Sequence, residues 1–411
     1  METRGHTRAK ETRGRNGSRA AWRYAYALCT IALATQSAAF VLPASHGVVL
    51  RRSFLSLSKR PTGLRAAQSE SKSEGKSKAE VLAEELKTDL KQMFDLAYEP
   101  KWDLYSEDVL FKDPLNKFTG IQKYKDNIQM LKDSPLFTGG KMTLHEVNIV
   151  NPQRVDTRWT LAMTFKPFPW QPRLEFTGTT QYIMGADGLV VEHLDQWDAL
   201  SNNEPVSLEG VVHLVGQMLP DIAALGARRL RGAAQDAAPY TLLRKFGDGT
   251  EIRRYHPQVR VVTPTGEVYN KESYDYASAL LLSYRGDALE AAKNSQNRIL
   301  PRTEPALQID SGNRDSYLAY LVAQGTNAPA PASKELKVVQ VPETLVAVGI
   351  SRGFGSDRNR NEEGLEQQRA FLVAKVLEAG FQVTNAGASF TLANYPDGYE
   401  MWLNVARVAP N

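Results

Sequence analysis

The chain is 411 residues long, 42% hydrophobic and 23% charged, which is enough for two or three domains with separate cores. Its formal charge of +4 is unevenly placed: residues 1–66 hold twelve Lys and Arg against Glu2 and Glu11, an excess of ten, so residues 67–411 carry −6 and argue against a nucleic-acid partner. The single cysteine, Cys29, lies in that basic stretch, so the rest of the chain has no means of forming a disulfide, an iron–sulfur cluster, a Cys-ligated zinc site or a thiolate-bound haem.

The first 66 residues read as a leader. Arg4 to Arg23 is a positive segment, Tyr24 to Thr35 a short apolar run, and Ser37-Ala38-Ala39 a small-residue cleavage site ahead of Phe40. The apolar run is short for a bilayer span. Arg51 to Arg60 is rich in Arg and Ser and free of acid, the composition of a transit segment. A signal followed by a transit segment resembles the bipartite leader of proteins imported into plastids of secondary origin, which implies a plastid (chloroplast) destination; a single-pass anchor is the other reading. Residues 67–83 are expected to form a disordered linker.

Residues 81–98 place Leu82, Leu86, Leu90, Met93 and Phe94 at helical spacing. The period then changes to two. In 158–165 one face holds Trp159, Leu161, Met163 and Phe165; 174–184 is a second strand, Gly185 to Gly188 a turn, and 189–197 a third strand. A helix followed by a curved antiparallel sheet is an α+β layout. Leu90 with Phe94, residues 104–116, residues 118–124 and the run Glu192 to Asp198 together resemble domain of unknown function 2358 over residues 84–200. That family falls in the nuclear transport factor 2 (NTF2-like) or SnoaL-like class, and the resemblance implies a cone of sheet and helices around a cavity. His193, Asp195 and Trp197 share one face of the third strand. If that face lines the cavity, His193 and Asp195 form an acid/base pair for an isomerase or hydrolase; otherwise they are a hydrogen-bonded pair in a packed strand. Asp113, ahead of Pro114, reads as a turn residue.

Residues 201–239 read as a helical connector. Leu208, Val211, Val212, Val215, Met218, Leu219, Ile222 and Leu225 recur at near-helical spacing, Pro220 interrupts them, and Arg228 to Arg231 end the run. Such a segment either packs one domain on the other or makes peripheral membrane or lipid-droplet contact through residues 208–231. The second alternative goes with a structural role in pigment-lipid particles.

Within 240–411 one pattern occurs twice. Residues 251–263 and 337–350 are β-rich runs broken by Pro257 and Pro342, and each is followed by an amphipathic helix. The first helix is expected over 274–292; the second starts at a capping Asn359-Arg-Asn-Glu362, carries Leu365, Leu372, Val376 and Leu377, and stops at Gly380. Strands 317–323 and 399–405 complete two equivalent halves. The product of this internal duplication is a distorted β-barrel flanked by two helices, an architecture that builds a pocket. Arg253 and Arg254 read as strand-face charges, Tyr255 and Trp402 as core aromatics.

Glu251 to Pro257, residues 338–354, the helix through Leu372 and residues 395–405 resemble the SOUL haem-binding family over nearly the whole domain. The pair of domains also resembles a chloroplast haem-binding architecture of plants. What the SOUL resemblance implies is reversible binding of haem or a related porphyrin, carried or buffered rather than turned over. Its groove would lie beside the first helix, built by position from Leu281, Leu282, Tyr284 and Arg285 and from residues 299–302 with Leu300. Arg285, Arg298 and Arg302 are the cations for the propionates. The chain departs from its relatives at Arg302-Thr-Glu-Pro305, where they typically carry Met-Thr-x-Pro. His256, the only histidine of the domain, is the candidate imidazole for haem iron. Oligomeric state is left open.

Overall fold

The structure is a computed structural model that describes residues 76–219, 235–236, 238–266, 271–286, 291–310, 316–352, 361–384, 389–395 and 398–408. The leader at 1–66 and the arginines at 228–231 lie outside the described residues.

The N-terminal domain opens with helix α1 (Lys78–Gln92). Ser77 caps it: its hydroxyl accepts from the Glu80 amide, and the Glu80 carboxylate accepts from the Ser77 amide at 2.7 Å. The cap lies inside the expected linker, and Ala79, Leu82 and Ala83 are buried, so residues 78–83 belong to the folded domain. Strands β1 (Tyr105–Lys112) and β2 (Lys117–Thr119), helix α2 (Ile121–Lys132), and strands β3 (Phe137–Asn151), β4 (Arg154–Phe165), β5 (Arg173–Met184) and β6 (Val190–Trp197) follow. They form one sheet in the order β2-β1-β6-β5-β4-β3, antiparallel except for β1 with β6. Cross-strand register lines up Val155, Tyr182 and His193, then Thr157, Thr180 and Asp195, then Trp159, Gly178 and Trp197 on one face.

Helices cover both ends of that face. Leu86, Leu90, Tyr124 and Ile128 of α1 and α2 pack on Val155, Tyr182 and Met184. At the other end helix α3 (Leu208–Met218) brings Met218 onto Leu174, Phe176 and Trp197. Val215 and Met218 are buried, so the described part of this apolar stripe packs on its own domain's sheet, with Leu208 and Val212 facing outward; Ile222 and Leu225 lie outside the described residues. Among the described residues no helix is long and apolar enough to cross a membrane. Gly178 is required where the sheet faces Trp159, because a Cβ would sit 2.2 Å from the Gln196 carbonyl and 3.1 Å from the indole.

The C-terminal domain contains β7 (Gln235–Asp236), β8 (Tyr240–Lys245), β9 (Glu251–Tyr255), β10 (Gln258–Gly266), helix α4 (Lys271–Arg285), β11 (Thr303–Glu304), β12 (Ala306–Asp310), β13 (Ser316–Leu321), β14 (Lys337–Val341) and β15 (Thr344–Arg352). Helix α5 (Glu362–Glu378), β16 (Phe381–Val383), β17 (Phe390–Tyr395) and β18 (Gly398–Arg407) complete it. The main sheet runs β14-β10-β13-β12-β17-β18-β15-β9-β8. Exchanging each strand of the first copy with its counterpart in the second, β9 with β14, β10 with β15, β12 with β17 and β13 with β18, turns β14 through β9 into the same order reversed. That palindrome is what a twofold axis between β12 and β17 requires, so the duplication is structural.

The two proline breaks meet. β9 pairs with β15 from Tyr255 opposite Thr344, and β10 pairs with β14 from Gln258 opposite Val341, so His256-Pro257 and Pro342-Glu343 interrupt the same ribbon at the same place. The ribbon bends there and curls the sheet into the expected distorted barrel, with Tyr255, Leu307, Leu321, Val346, Val348 and Trp402 in its core. α4 packs on β10 and β13, and α5 on β15 and β18, again as counterparts. α4 is shorter than the expected 274–292. Gly286 ends it at φ 71°, where a Cβ would sit 2.7 Å from Ala292. At α5 the cap is Asn361, whose side chain accepts from the Gly364 amide at 2.9 Å.

The domains meet along β8. The Thr160 hydroxyl donates to the Leu242 carbonyl at 2.7 Å, and the Lys245 amide donates to the Thr177 hydroxyl at 2.8 Å. Asp198 accepts from Arg158 at 2.8 Å on one side and from Arg244 at 3.4 Å on the other. These bonds come from the face of β4 and β5 that the helices leave uncovered.

Candidate functional site

Beside α4 the barrel leaves a groove of about 410 Å³. One wall is the helix, through Tyr274, Ser278, Leu281, Leu282 and Arg285; the other is Leu318, Ala319 and Tyr320 with Ala306, and Arg302, Glu304 and Tyr395 also line it. Leu281 is 7% exposed and anchors the helix, whereas Leu282, one residue on, is 53% exposed and faces outward. The counterpart helix is packed: Leu365, Leu372 and Val376 of α5 are buried against Leu243, Phe381, Phe390, Tyr399 and Met401. β8 and β16 supply part of that filling, and neither has a counterpart beside α4.

Four of the residues expected at the groove line it: Leu281, Leu282, Arg285 and Arg302. The other four do not. Tyr284 points into the core behind the helix and donates to the Pro329 carbonyl at 2.8 Å, and Leu300 is buried beside it. Arg298 is exposed and donates to the Asn327 carbonyl at 2.8 Å. His256 sits at the ribbon break, its Nε2 3.2 Å from the Thr241 hydroxyl, and forms no part of the groove lining. No histidine, cysteine or methionine lines the groove, and no cluster of three His, Cys, Asp or Glu occurs among the described residues.

What the groove offers a ligand is therefore flat apolar contact and charge. The guanidinium groups of Arg285 and Arg302 have no acidic partner among the described residues, so both are available to carboxylates. Glu304 lines the same groove, two residues after Arg302, the position at which the run Arg302-Thr-Glu-Pro305 departs from Met-Thr-x-Pro. A tetrapyrrole fits this donor set through its ring and its propionates, with no protein imidazole for its metal.

Sequence reasoning missed a buried ionic cluster inside the barrel. Arg253, read as a strand-face charge, is 4% exposed. Its Nε donates to Glu251 at 2.7 Å, its Nη1 to Glu400 and to the Tyr255 hydroxyl at 2.8 Å each, and its guanidinium lies 4.2 Å from the Tyr240 ring centre. The Trp402 indole donates to the same Glu400 oxygen as Arg253 Nη1, at 2.9 Å. The signal was available: Arg253 shares the period-two face of Tyr255. Tyr255 and Trp402 are core aromatics as expected, their ring centres 4.4 Å apart and their planes tilted by 33°.

In the N-terminal domain His193 and Asp195 do come together, with His193 Nε2 at 3.0 Å from Asp195 Oδ1. Around them runs one chain of hydrogen bonds: Trp159 Nε1 donates to the Thr180 hydroxyl at 2.7 Å, Thr180 donates to Asp195, and His193 Nδ1 lies 3.2 Å from the Tyr124 hydroxyl. An ionised Asp195 requires the proton on Nε2, which leaves Nδ1 to accept from Tyr124. Both ring nitrogens are thus engaged, and Phe111, Tyr124 and Tyr182 pack round the imidazole. The imidazole is 5% exposed. Asp113 behaves as a turn residue, accepting from the Leu115 amide at 2.6 Å and from Asn116; burial and the nearby Asp195 raise its pKa to about 6.

Comparison with known proteins agrees with the sequence resemblances. Residues 80–193 match the model of an uncharacterised conserved protein family, domain of unknown function 2358, and residues 235–408 match that of the SOUL heme-binding protein family. No curated protein matches the chain. Among solved structures it is similar to an NTF2-like protein of unknown function from Exiguobacterium sp. 255-15, at 17% identity over 27% of this chain and 96% of that one, with a TM-score of 0.23. It is also similar to a Mycobacterium tuberculosis LEH-like epoxide hydrolase, at 17% identity over 29% of this chain and 83% of the other, with a TM-score of 0.23.

Proposed function

We propose that the chain binds haem or a related tetrapyrrole reversibly in the groove beside α4, and that its work is to carry or buffer the pigment rather than to convert it. The observation that carries this reading is the groove itself, about 410 Å³ walled by Leu281, Leu282, Leu318 and Tyr320 and edged by Arg285 and Arg302. The match of residues 235–408 to a haem-binding family supports the ligand class. Leu282 and Tyr320 contact the macrocycle, and the two arginines hold the propionates and fix its orientation. The leader composition supports a plastid as the place where this happens. The closed hydrogen-bond chain at His193 gives the N-terminal domain a supporting part in this reading, as the platform on which β8 rests.

The test is an absorbance titration of the chain with hemin and with iron-free protoporphyrin. Because the groove offers no imidazole, thiolate or thioether, the two should bind with dissociation constants within about three-fold of each other. A hemin preference of about a hundred-fold that survives Tyr274→Phe, Tyr320→Phe and Tyr395→Phe would mean that the pigment sits elsewhere.

A further inference from the structure

A second opening lies at the end of the barrel where the two proline breaks meet, and it shares no residue with the groove. It measures about 110 Å³ and is lined on one side by Tyr255, Trp402, Ile309 and Val346, and on the other by Gln258, Arg260 and Ser389. Arg260 spends its Nε and one Nη2 proton on the Gln258 side-chain oxygen Oε1, at 3.1 and 2.8 Å. Its remaining protons have no acceptor among the described residues. Gln258, 5% exposed, has an Nε2 without a partner, and Ser389, 9% exposed, has an unpartnered hydroxyl. Buried donors left unmade are costly, and these two, facing one opening beside a half-buried guanidinium, point to an acceptor that meets them.

We propose that this opening is a binding site for a small organic monocarboxylate, its carboxylate taken by Arg260, Gln258 Nε2 and Ser389 Oγ and its short apolar body lying on the Tyr255 and Trp402 rings. The volume is that of a few heavy atoms, since liquid water occupies about 30 Å³ per molecule. The charge is set by the lining: among the described residues Arg260 is the only cation there, and Asp310 also lines the opening, which favours a monoanion over a dianion. Burial pulls the Arg260 pKa down to about 10, which still leaves it charged at neutral pH.

Butyrate and inorganic phosphate, titrated into the full chain at constant ionic strength by calorimetry, are the probes. Butyrate should bind saturably in the millimolar range and raise the melting temperature by mass action, and Arg260→Gln should weaken it about ten-fold or more. Ser389→Ala should weaken it about three-fold, a variant that keeps the test open if Arg260→Gln fails to fold. Neither change should alter hemin binding, and Leu282→Ala should leave butyrate binding intact. Phosphate binding as tightly as butyrate, the absence of saturable butyrate binding, or unchanged affinity in both variants would each overturn the proposal.

Discussion

Leu282→Ala separates a groove that meets a pigment from one that is merely a crease. Leu282 is 53% exposed, so a macrocycle laid against α4 has about half of the side chain left to cover. Full burial of a leucine is worth about 1.5–3 kcal/mol, and half of that, about 1 kcal/mol, is about five-fold in a dissociation constant. Truncation should therefore weaken hemin and protoporphyrin alike by about five-fold, while stability in urea changes by less than about 0.5 kcal/mol because the side chain packs on little in the free protein. Leu300→Ala is the opposite case: Leu300 is 1% exposed in the core behind the helix, and its loss should cost about 2–5 kcal/mol of stability without removing a ligand contact. The measurements are absorbance titrations and urea unfolding on the three proteins. Unchanged affinity in Leu282→Ala, or a loss for hemin alone, refutes the reasoning.

Arg253→Ala should cost about 3–5 kcal/mol in urea unfolding, because it strands Glu400, 1% exposed, inside the barrel; a loss under about 1 kcal/mol would show that the cluster is hydrated. His145 gives the domain interface a pH dependence. It is half-buried, its Nε2 2.8 Å from the Thr160 hydroxyl that bonds β8, and burial followed by Arg254 and Arg158 lowers its pKa to about 4. A histidine depressed in the folded state contributes stability that is complete above its unfolded value near 6.5 and is lost as pH falls toward 4. Discounted for solvent, that is about 1–2 kcal/mol between pH 7 and 4, and His145→Gln should remove this part of the slope in unfolding experiments. Identical slopes in the two proteins would exclude the mechanism.

The parts of the fold that were legible are those where the two faces of an element differ. β4, β5 and β6 alternate cleanly because one face meets helices and the other is mostly polar. β3 was invisible although it is the longest strand of its sheet: Gly139-Gly140, Lys141 and Glu146 to Asn148 give no alternation, and most of its side chains are half-exposed on both faces. The duplication showed in Pro257 and Pro342, but the mutual pairing of the two broken runs did not, because register is a property of the folded ribbon. Family resemblance located the groove and half of its lining. It assigned Tyr284 and Leu300 by position along the chain, whereas the helix turns Tyr284 inward with Ala277. The charged cluster at Arg253 failed for a different reason. A lone arginine on a strand is ordinarily solvated, and its partner Glu400 lies 147 residues away, a pairing that only the folded sheet creates by setting β9 and β18 on either side of β15.

The threonine hydroxyls that bond β8 have a consequence for the border of the second sheet. β8 ends the ten-stranded sheet, and a terminal strand with bare amides and carbonyls is a template on which another molecule's strand can add. Thr160 and Thr177 occupy two of those positions, at Leu242 and Lys245, with side chains that cannot propagate a ladder. The first domain thus acts as a sheath for the second, and a second domain released from it would expose an adhesive border to its own copies.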